Sequence, residues 1–477
     1  MIDVGTSSVR AGVVRRDATV ANVHRRPLPP AIPAPGLVEL NPGEMAKAAL
    51  ETAGAALAGV GNVEAVAITA QRASAIVWDG RTGEPLGPGL GWQDLRTAGT
   101  CLELQAEGVR FSPSESATKF AWLLDQLDSG RRRHAKLGTV DSWVAWNLTE
   151  GRLHITDPSN AGVTGLFSPD GRNWRDDSTQ RLGIDPDTLP AVVDSSGVLG
   201  EATALPGSPP LCALVGDQQA SLVGQGCTLP GLAKVTFGTG AMLDVCVGAE
   251  RPAFHTRGEA GCFPVIAWAR QGQLTWGVEA IMLAAGTAVD WLVEDLELIA
   301  SAGESAGVAA QCQDTGGVVF VPALLGFGTP QWDFGARGAL FGLTRGSGRT
   351  EVVRAVLEGV AHSGADLVEA AERDAGTDIG HLRVDGGMSA NPVFVQALAD
   401  ACGRPVEVSP ELEATTLGAG LLAGLALGAW RGPDDIAATW SPRAVVEPSG
   451  KPVERDRWRR AIEKAGGWYP ELSALDF

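Results

Sequence analysis

The sequence predicts a two-lobed α/β protein built from a duplicated unit, with a cleft between the copies. Three observations lead there. Strand-like apolar runs alternate with helical patterns along most of the chain, which is the order expected of mixed sheets covered by helices. At 477 residues the chain is too long for one core, so two or three domains are expected. Finally, the plan of the first ten residues, Met1-Ile-Asp-Val-Gly-Thr-Ser-Ser-Val-Arg10, returns at residues 233–247. In both places an apolar strand enters a Gly-Thr turn and an apolar strand leaves it.

Residues 1–26 read as the first hairpin and a further strand. The hairpin turn gathers Gly5, the hydroxyls of Thr6, Ser7 and Ser8, and the guanidinium of Arg10. Those are the parts that wrap a terminal phosphate, and Asp3 beside them suits a hydrated magnesium ion. The competing reading is an ordinary Gly-Thr-Ser turn. A Pro-rich excursion follows over 27–42. The pattern then gives a helix over 45–57, strands over 65–69 and 74–79, and helices over 115–127 and 138–147 in an inserted helical region. A buried strand over 211–215 closes the first half.

The second half opens on the Gly-Thr-Gly hairpin. It continues with a strand over 273–277, a helix over 280–294, a strand over 317–322 and a long helix from 351 to about 375. A strand over 382–384 runs into a Gly-Gly turn, and a helix over 392–402 follows. The Gly/Ala-rich stretch 417–430 is read as a tightly packed core helix, too short for a membrane span. From residue 431 onward a polar tail without a core of its own is expected. The predicted division is 1–226, 227–430 and 431–477.

Composition narrows the function. With 38 Lys and Arg against 56 Asp and Glu, the net charge of −18 argues against a general binder of nucleic acid or anionic membrane. Seven Cys without a C-x-x-C pair fit reduced thiols, and no secretory pattern opens the chain, so a cytoplasmic protein is expected.

Asp217 ends a strand and precedes a helical run. Placed there it faces the crevice of an open α/β sheet and can take a proton from an attacking hydroxyl; equally, it can cap the helix. Val384-Asp-Gly-Gly-Met-Ser-Ala-Asn391 reads as strand, turn and helix start, where backbone N–H groups suit an anion. Arg72 can donate to vicinal hydroxyls, and Trp92 can lie against a carbon chain. Trp143 and Trp146, at helical spacing, read as packing residues.

On these segments the chain resembles the FGGY family of carbohydrate kinases over nearly its whole length. The matching residues are Asp3 to Arg10, Thr69-Ala-Gln-Arg72, Trp92-Gln-Asp-Leu-Arg96, Asp157-Pro-Ser-Asn160, Gly216-Asp-Gln-Gln219, Phe237-Gly-Thr-Gly240, Ala339-Leu-Phe-Gly-Leu-Thr-Arg-Gly346 and Asp385-Gly-Gly387. Two longer signatures, 114–125 and 338–358, also fit. The resemblance implies the actin-like, ribonuclease H-like fold of sugar kinases, Hsp70 and actin, with ATP in the cleft between two lobes.

By position, the resemblance implies that Asp217 is the catalytic base, and that Asp3 and Asp217 surround Mg²⁺. Thr6, Ser7 and Arg10 match one phosphate loop, and Gly238, Thr239 and Gly240 the other. Gly286, Gly387 and Asn391 match positions beside the α-phosphate and adenosine, and Asp290 stands where relatives have a Gln near adenine. Arg72, Trp92, Asp217 and Gln218 match polyol contacts. The reaction implied is transfer of the γ-phosphoryl of ATP to a primary hydroxyl of glycerol or a somewhat larger polyol or ketose.

Three positions depart from the family pocket. Ala73 replaces a Glu, Ser114 a Tyr and Met242 a Phe, which implies a larger pocket; Glu115 is the candidate to replace the lost carboxylate. A homodimer or higher homo-oligomer is expected; only Met1 and Ile2 precede Asp3, where relatives have several more strand residues, so either the first strand is clipped or the true start lies upstream of Met1. The alternative reading is a nucleotide-driven conformational or filament module, which has no need of Asp217, Arg72 and Trp92.

Overall fold

The computed structural model describes residues 1–130, 134–411 and 413–475. Among them, one sheet of thirteen strands runs through both halves of the chain. In the N-terminal half the strands lie in the order Val20–Pro27, Ser8–Val14, Ile2–Val4, Val66–Ala70, Pro210–Gly216. In the C-terminal half the order is Gln273–Met282, Ala241–Gly248, Ala233–Phe237, Leu382–Asp385, Val406–Val408. Each set is three antiparallel strands followed by two parallel ones, numbered 3-2-1-4-5 within its half. The repeated hairpin is thus one piece of a repeated five-stranded unit. Ser196–Glu201 and Phe263–Arg270 stitch the two units into a single sheet.

The covering helices repeat as well. Pro42–Leu57 lies between the third and fourth strands of the first unit, and Arg349–Ala375 holds that place in the second. Their buried faces are largely Ala, Val and Leu, small enough to sit close on the sheet. Each fifth strand leads into a further helix, Asp217–Gly224 and Ala414–Ala426. These two cross in backbone contact: a Cβ on Gly418 would overlap the Ala220 carbonyl, and one on Gly224 would overlap that of Ala414. The crossing fixes how the two units meet beside the strand ends.

Most expected elements lie within a few residues of their predicted bounds. Two expectations are corrected. The strand from Gln273 runs on to Met282 and the helix begins only at Gly286, so 280–282 is strand rather than helix. Residues 280–282 pair with Leu243, Met242 and Ala241, continuing a strand that is paired on both sides as far as Glu279, and this outweighs the helical tendency of the Ala-rich run. The segment from 431 is not a coreless tail. Its strand Ala444–Val446 extends the large sheet, and helix Arg455–Ala465 buries Trp458, Ala461 and Ala465 against Val321, Ala323, Phe327 and Ala336. The Trp458 indole N–H donates to Asp366 Oδ2 at 2.7 Å. One narrow apolar stripe on a highly charged helix was enough to dock it. Among the described residues no helix is long and apolar enough to cross a membrane.

Candidate active site

The first and fourth strands of the N-terminal unit pair in parallel, Asp3 beside Thr69, which puts their carboxyl ends side by side. The fifth pairs Val215 with Thr69 and Gly216 with Ala70. The Gly5 turn, Gln71-Arg72 and Asp217 therefore emerge at one edge of the sheet, where open α/β sheets hold ligands. The turn is closed by Gly5 N–H donating to Ser8 C=O at 3.0 Å. Behind it, Gln71 donates through its backbone N–H to Val4 C=O at 2.9 Å and through Nε2 to Gly5 C=O at 3.4 Å.

Asp217 is the first residue of its helix; Gly216 is the N-cap, so the carboxylate of Asp217 is not spent as the cap. Gly216 N–H donates to Ser159 Oγ at 2.8 Å, and that hydroxyl is itself held by the buried Asp157. Asp217 Oδ1 lies 3.6 Å from Arg72 Nε, and it accepts from the Gln218 N–H at 2.8 Å. Burial raises the proton affinity of Asp217, with Arg72 opposing. A carboxylate held this way is a better proton acceptor than one in water.

Asp3 is almost fully buried, 3.9 Å from Arg10 Nη1. Burial pushes it up to about 7; Arg10 opposes the rise and Asp217 adds to it. A buried acid whose proton affinity a second carboxylate raises further suits a divalent cation. Magnesium is commonly held by one or two carboxylates together with substrate phosphates, so Asp3 and Asp217 fit that ion. Arg10 is engaged across the two units: its Nη1 donates to Glu413 Oε2 at 2.8 Å.

On the opposite side, the exposed Gly238-Thr239 turn is fixed from below. Gly286 N–H donates to Gly238 C=O at 2.8 Å, and Ala285 N–H donates to Thr239 C=O at 2.9 Å. A Cβ on Gly286 would stand 2.5 Å from the Gly238 carbonyl, so this approach requires glycine. Gly387 is exposed with open space above it. Asn391 is committed to structure: its Oδ1 caps the following helix by accepting from Val393 and Phe394 N–H, and its Nδ2 donates to Ser305. Asp290 is exposed, one turn into the helix that begins at Gly286.

The substrate-side residues divide. Arg72 and Gln218 join Asp217, and Trp92 reaches the Gly5 turn, its Nε1 donating to Thr6 Oγ1 at 3.3 Å. Ser114 is exposed. Glu115 is turned elsewhere: it accepts from Ser112 N–H at 2.9 Å, and a Cβ on Gly165 would stand 2.7 Å from its Oε2. It therefore does not replace the lost carboxylate. Glu279 meets the guanidinium instead, with Arg72 Nη2 donating to its Oε2 at 2.7 Å. Arg72 Nη1 is buried and has no partner among the described residues.

Sequence reasoning missed several of these groups. Lys234, Asp244 and Glu279 stand abreast on three adjacent strands, Lys234 beside Asp244 and Asp244 beside Glu279. By the alternation of strand side chains Met242 shares their face. Burial raises the proton affinity of Glu279, and Arg72 opposes it. Lys119 is fully buried, and its ammonium donates to the carbonyls of Trp92 at 3.0 Å, Ser114 at 3.1 Å and Ala73 at 3.5 Å, tying together three pocket segments. Burial lowers it to about 7, against Asp94 and Glu115. The available signal was a lysine on the apolar face of the 117–127 helix.

Known proteins share this arrangement over the whole chain. A glycerol kinase from Aromatoleum aromaticum is 40% identical over 494 residues, covering 98% of each chain. One from Trichlorobacter lovleyi is 41% identical over 495 residues, again with 98% of each covered. Among solved structures, Plasmodium falciparum glycerol kinase with ADP superposes with a TM-score of 0.90 at 26% identity, covering 100% of this chain and 98% of that one. Family models for the N-terminal and C-terminal domains of the FGGY carbohydrate kinases match residues 1–224 and 233–427. The repeated five-stranded unit and these likenesses agree: the chain belongs to the FGGY family of carbohydrate kinases.

Proposed function

We propose that this chain is an ATP-dependent phosphotransferase that moves the γ-phosphoryl to a primary hydroxyl of glycerol or a somewhat larger polyol or ketose, with Asp217 as general base. The observation that carries the reading is the pairing at the strand ends. A half-buried carboxylate of raised proton affinity stands 3.6 Å from Arg72 Nε, and Arg72 Nη1 is a buried donor with no partner among the described residues. Buried guanidinium N–H groups are rarely left unpaired, and a substrate hydroxyl supplies the missing acceptor.

Asp217 accepts the hydroxyl proton as the oxygen attacks. Arg72 and Gln218 orient the acceptor, with Trp92 against its carbon chain. Thr6, Ser7, Arg10 and the Gly238-Thr239-Gly240 turn receive the phosphates, whose charge they stabilise during transfer. Gly286 and Gly387 leave room for the rest of the nucleotide; Asp290 and the Asn391 backbone lie toward its base. Magnesium, held by Asp3 and Asp217 with the phosphates, would neutralise charge on the transferred group. We divide the chain into lobes 1–226 and 227–430 with a docked segment 431–477, working in the cytoplasm, as a homodimer or higher homo-oligomer.

The likeness to glycerol kinases supports a short acceptor, while Ala73, the exposed Ser114 and Met242 support room for a longer one. Initial rates with ATP and glycerol, tetritols, pentitols or ketopentoses decide the acceptor. The expected outcome is that a four- or five-carbon acceptor matches or exceeds glycerol in kcat/KM; glycerol far ahead of all others ends the enlarged-pocket reading.

A further inference from the structure

Gln218 is held by a lysine from the opposite half of the chain. Lys234, on the first strand of the C-terminal unit, is fully buried, and its Nζ lies 2.8 Å from Asp244 Oδ2. The same ammonium donates to Gln218 Oε1 at 2.8 Å and to Thr236 Oγ1 at 3.1 Å. An ammonium has donors only, so the atom of Gln218 that faces it must be the amide oxygen. The NH₂ group of Gln218 then faces the other way, where no described residue accepts from it.

Arg72 has the same polarity. Its Nε faces Asp217 and its Nη2 is on Glu279, leaving the unpaired Nη1. Both side chains therefore offer only N–H groups to whatever binds beside Asp217, and both are set by charges on the C-terminal sheet. An amide free to turn would offer its carbonyl as readily as its NH₂, since the two ends are nearly equal in size.

We propose that Lys234, fixed by Asp244, is a positioning residue for the acceptor: it locks Gln218 as a hydrogen-bond donor, so that the pocket grips the lone pairs of an acceptor oxygen and leaves Asp217 to take the proton. This rests on the reading of Gln218 as an acceptor-binding residue. It adds that the C-terminal half, which carries the nucleotide turn, also sets the specificity of the acceptor side. A buried cation paired with a buried carboxylate costs desolvation that a hydrophobic pair would avoid. Holding the amide is a function that offsets that cost.

The test is a double-mutant cycle on the full-length enzyme, with KM measured separately for acceptor and ATP. The paired change Lys234→Met with Asp244→Leu removes the lock without leaving a lone buried charge. It is expected to raise the acceptor KM roughly five- to twentyfold, the scale of one lost hydrogen bond to a charged or oriented partner, with the ATP KM within about twofold. Gln218→Ala should raise the acceptor KM similarly, and combining it with the paired change should add nothing, since both act through one amide. An unchanged acceptor KM in the paired variant, or effects that multiply, overturns the proposal.

Gln218→Glu keeps the contact to Lys234 and replaces the outward NH₂ by a carboxylate oxygen. It leaves the core intact should the paired variant fail to fold, and it should raise the acceptor KM at least as much as Gln218→Ala; a wild-type KM overturns the lock. If Gln218→Ala itself leaves the acceptor KM unchanged while the enzyme remains active, the reading of Gln218 falls and the lock with it. If Gln218→Ala raises KM and the lock variants do not, only the lock falls.

Discussion

At the first, fourth and fifth strands of the N-terminal unit stand Asp3, Arg72 and Asp217. The corresponding strand ends in the C-terminal unit hold Thr236 ahead of the Gly238-Thr239-Gly240 turn, Asp385-Gly386-Gly387 and Glu413. One strand order has been loaded in two ways. The first unit brings charges to its strand ends, where burial and neighbouring charges shift the proton affinities of Asp3 and Asp217. The second brings glycines, whose backbone N–H groups a phosphate can approach closely. The C-terminal charges, Lys234, Asp244 and Glu279, sit back on the sheet face and act on the N-terminal side chains. Duplication supplied two identical frames, and the division of labour lies in the few residues at their edges.

The sharpest way to break this comparison is to remove chemistry from one unit and ask whether the other notices. Asp217→Asn keeps shape and takes away the base. The expected result is a loss of roughly a thousandfold or more in kcat, near the upper range for general-base catalysis, with the ATP KM changed by no more than about threefold. Transfer at near wild-type rate would move the base elsewhere; a large rise in the ATP KM would mean that the N-terminal charges do nucleotide binding as well.

The reverse experiment is Gly286→Ala. Its Cβ would stand 2.5 Å from the Gly238 carbonyl, so the Gly-Thr-Gly turn must move. The ATP KM should rise about tenfold, the scale of one well-placed phosphate hydrogen bond, while the acceptor KM stays nearly constant. Equal effects on both substrates would show that the two edges are not separable.

Much of this was legible in the sequence, and the parts that were not share a cause. The hairpins, the parallel strands and Asp217 are local patterns: alternating apolar residues around Gly-Thr turns, and an acid after a buried run. Glu279 was not legible because its partner Arg72 lies 207 residues away. Read alone, Val278-Glu279-Ala280-Ile281 places a charge in a run that suits neither a buried strand nor a clean amphipathic helix. Only the ion pair and the two flanking strands make it a strand. Lys119 falls within the matching segment 114–125, yet its role was not legible, since its three carbonyl partners come from separate segments. The same holds for residues 431–475, whose few apolar side chains find their core in Val321 and Phe327. Glu115 failed in the opposite direction: adjacency to Ser114 suggested a pocket residue, but consecutive side chains entering a helix diverge.

The smallest expected effect is on stability, and it separates the lobes by pH. Buried and half-buried carboxylates of raised proton affinity are concentrated in the N-terminal half, at Asp3, Glu115, Asp141, Asp157 and Asp217, against Glu279 and Asp366 in the C-terminal half. Such a group binds its proton more tightly folded than unfolded. Its stabilising contribution is therefore complete below the ordinary carboxylate value and is lost as pH rises through the folded value. Asp141 is the cleanest instance, because it lies outside the reacting groups and accepts from the hydroxyls of Thr139 and Thr156. Burial pushes it up to about 7. The window is thus from about pH 4, where an unfolded aspartate titrates, to about pH 7. Without ligands, the N-terminal half should lose stability across that window faster than the C-terminal half, as read by hydrogen exchange resolved along the chain. Asp141→Asn keeps an acceptor for one hydroxyl and cannot titrate, so it should flatten the pH dependence of Tm by about 2–4 °C, the scale of one kcal/mol in a cooperative unit of roughly 150–250 residues such as the N-terminal lobe. An Asp141→Asn protein with the wild-type pH slope would place the sensitivity in the cleft carboxylates. The comparison would then sharpen from two lobes to one edge of one sheet.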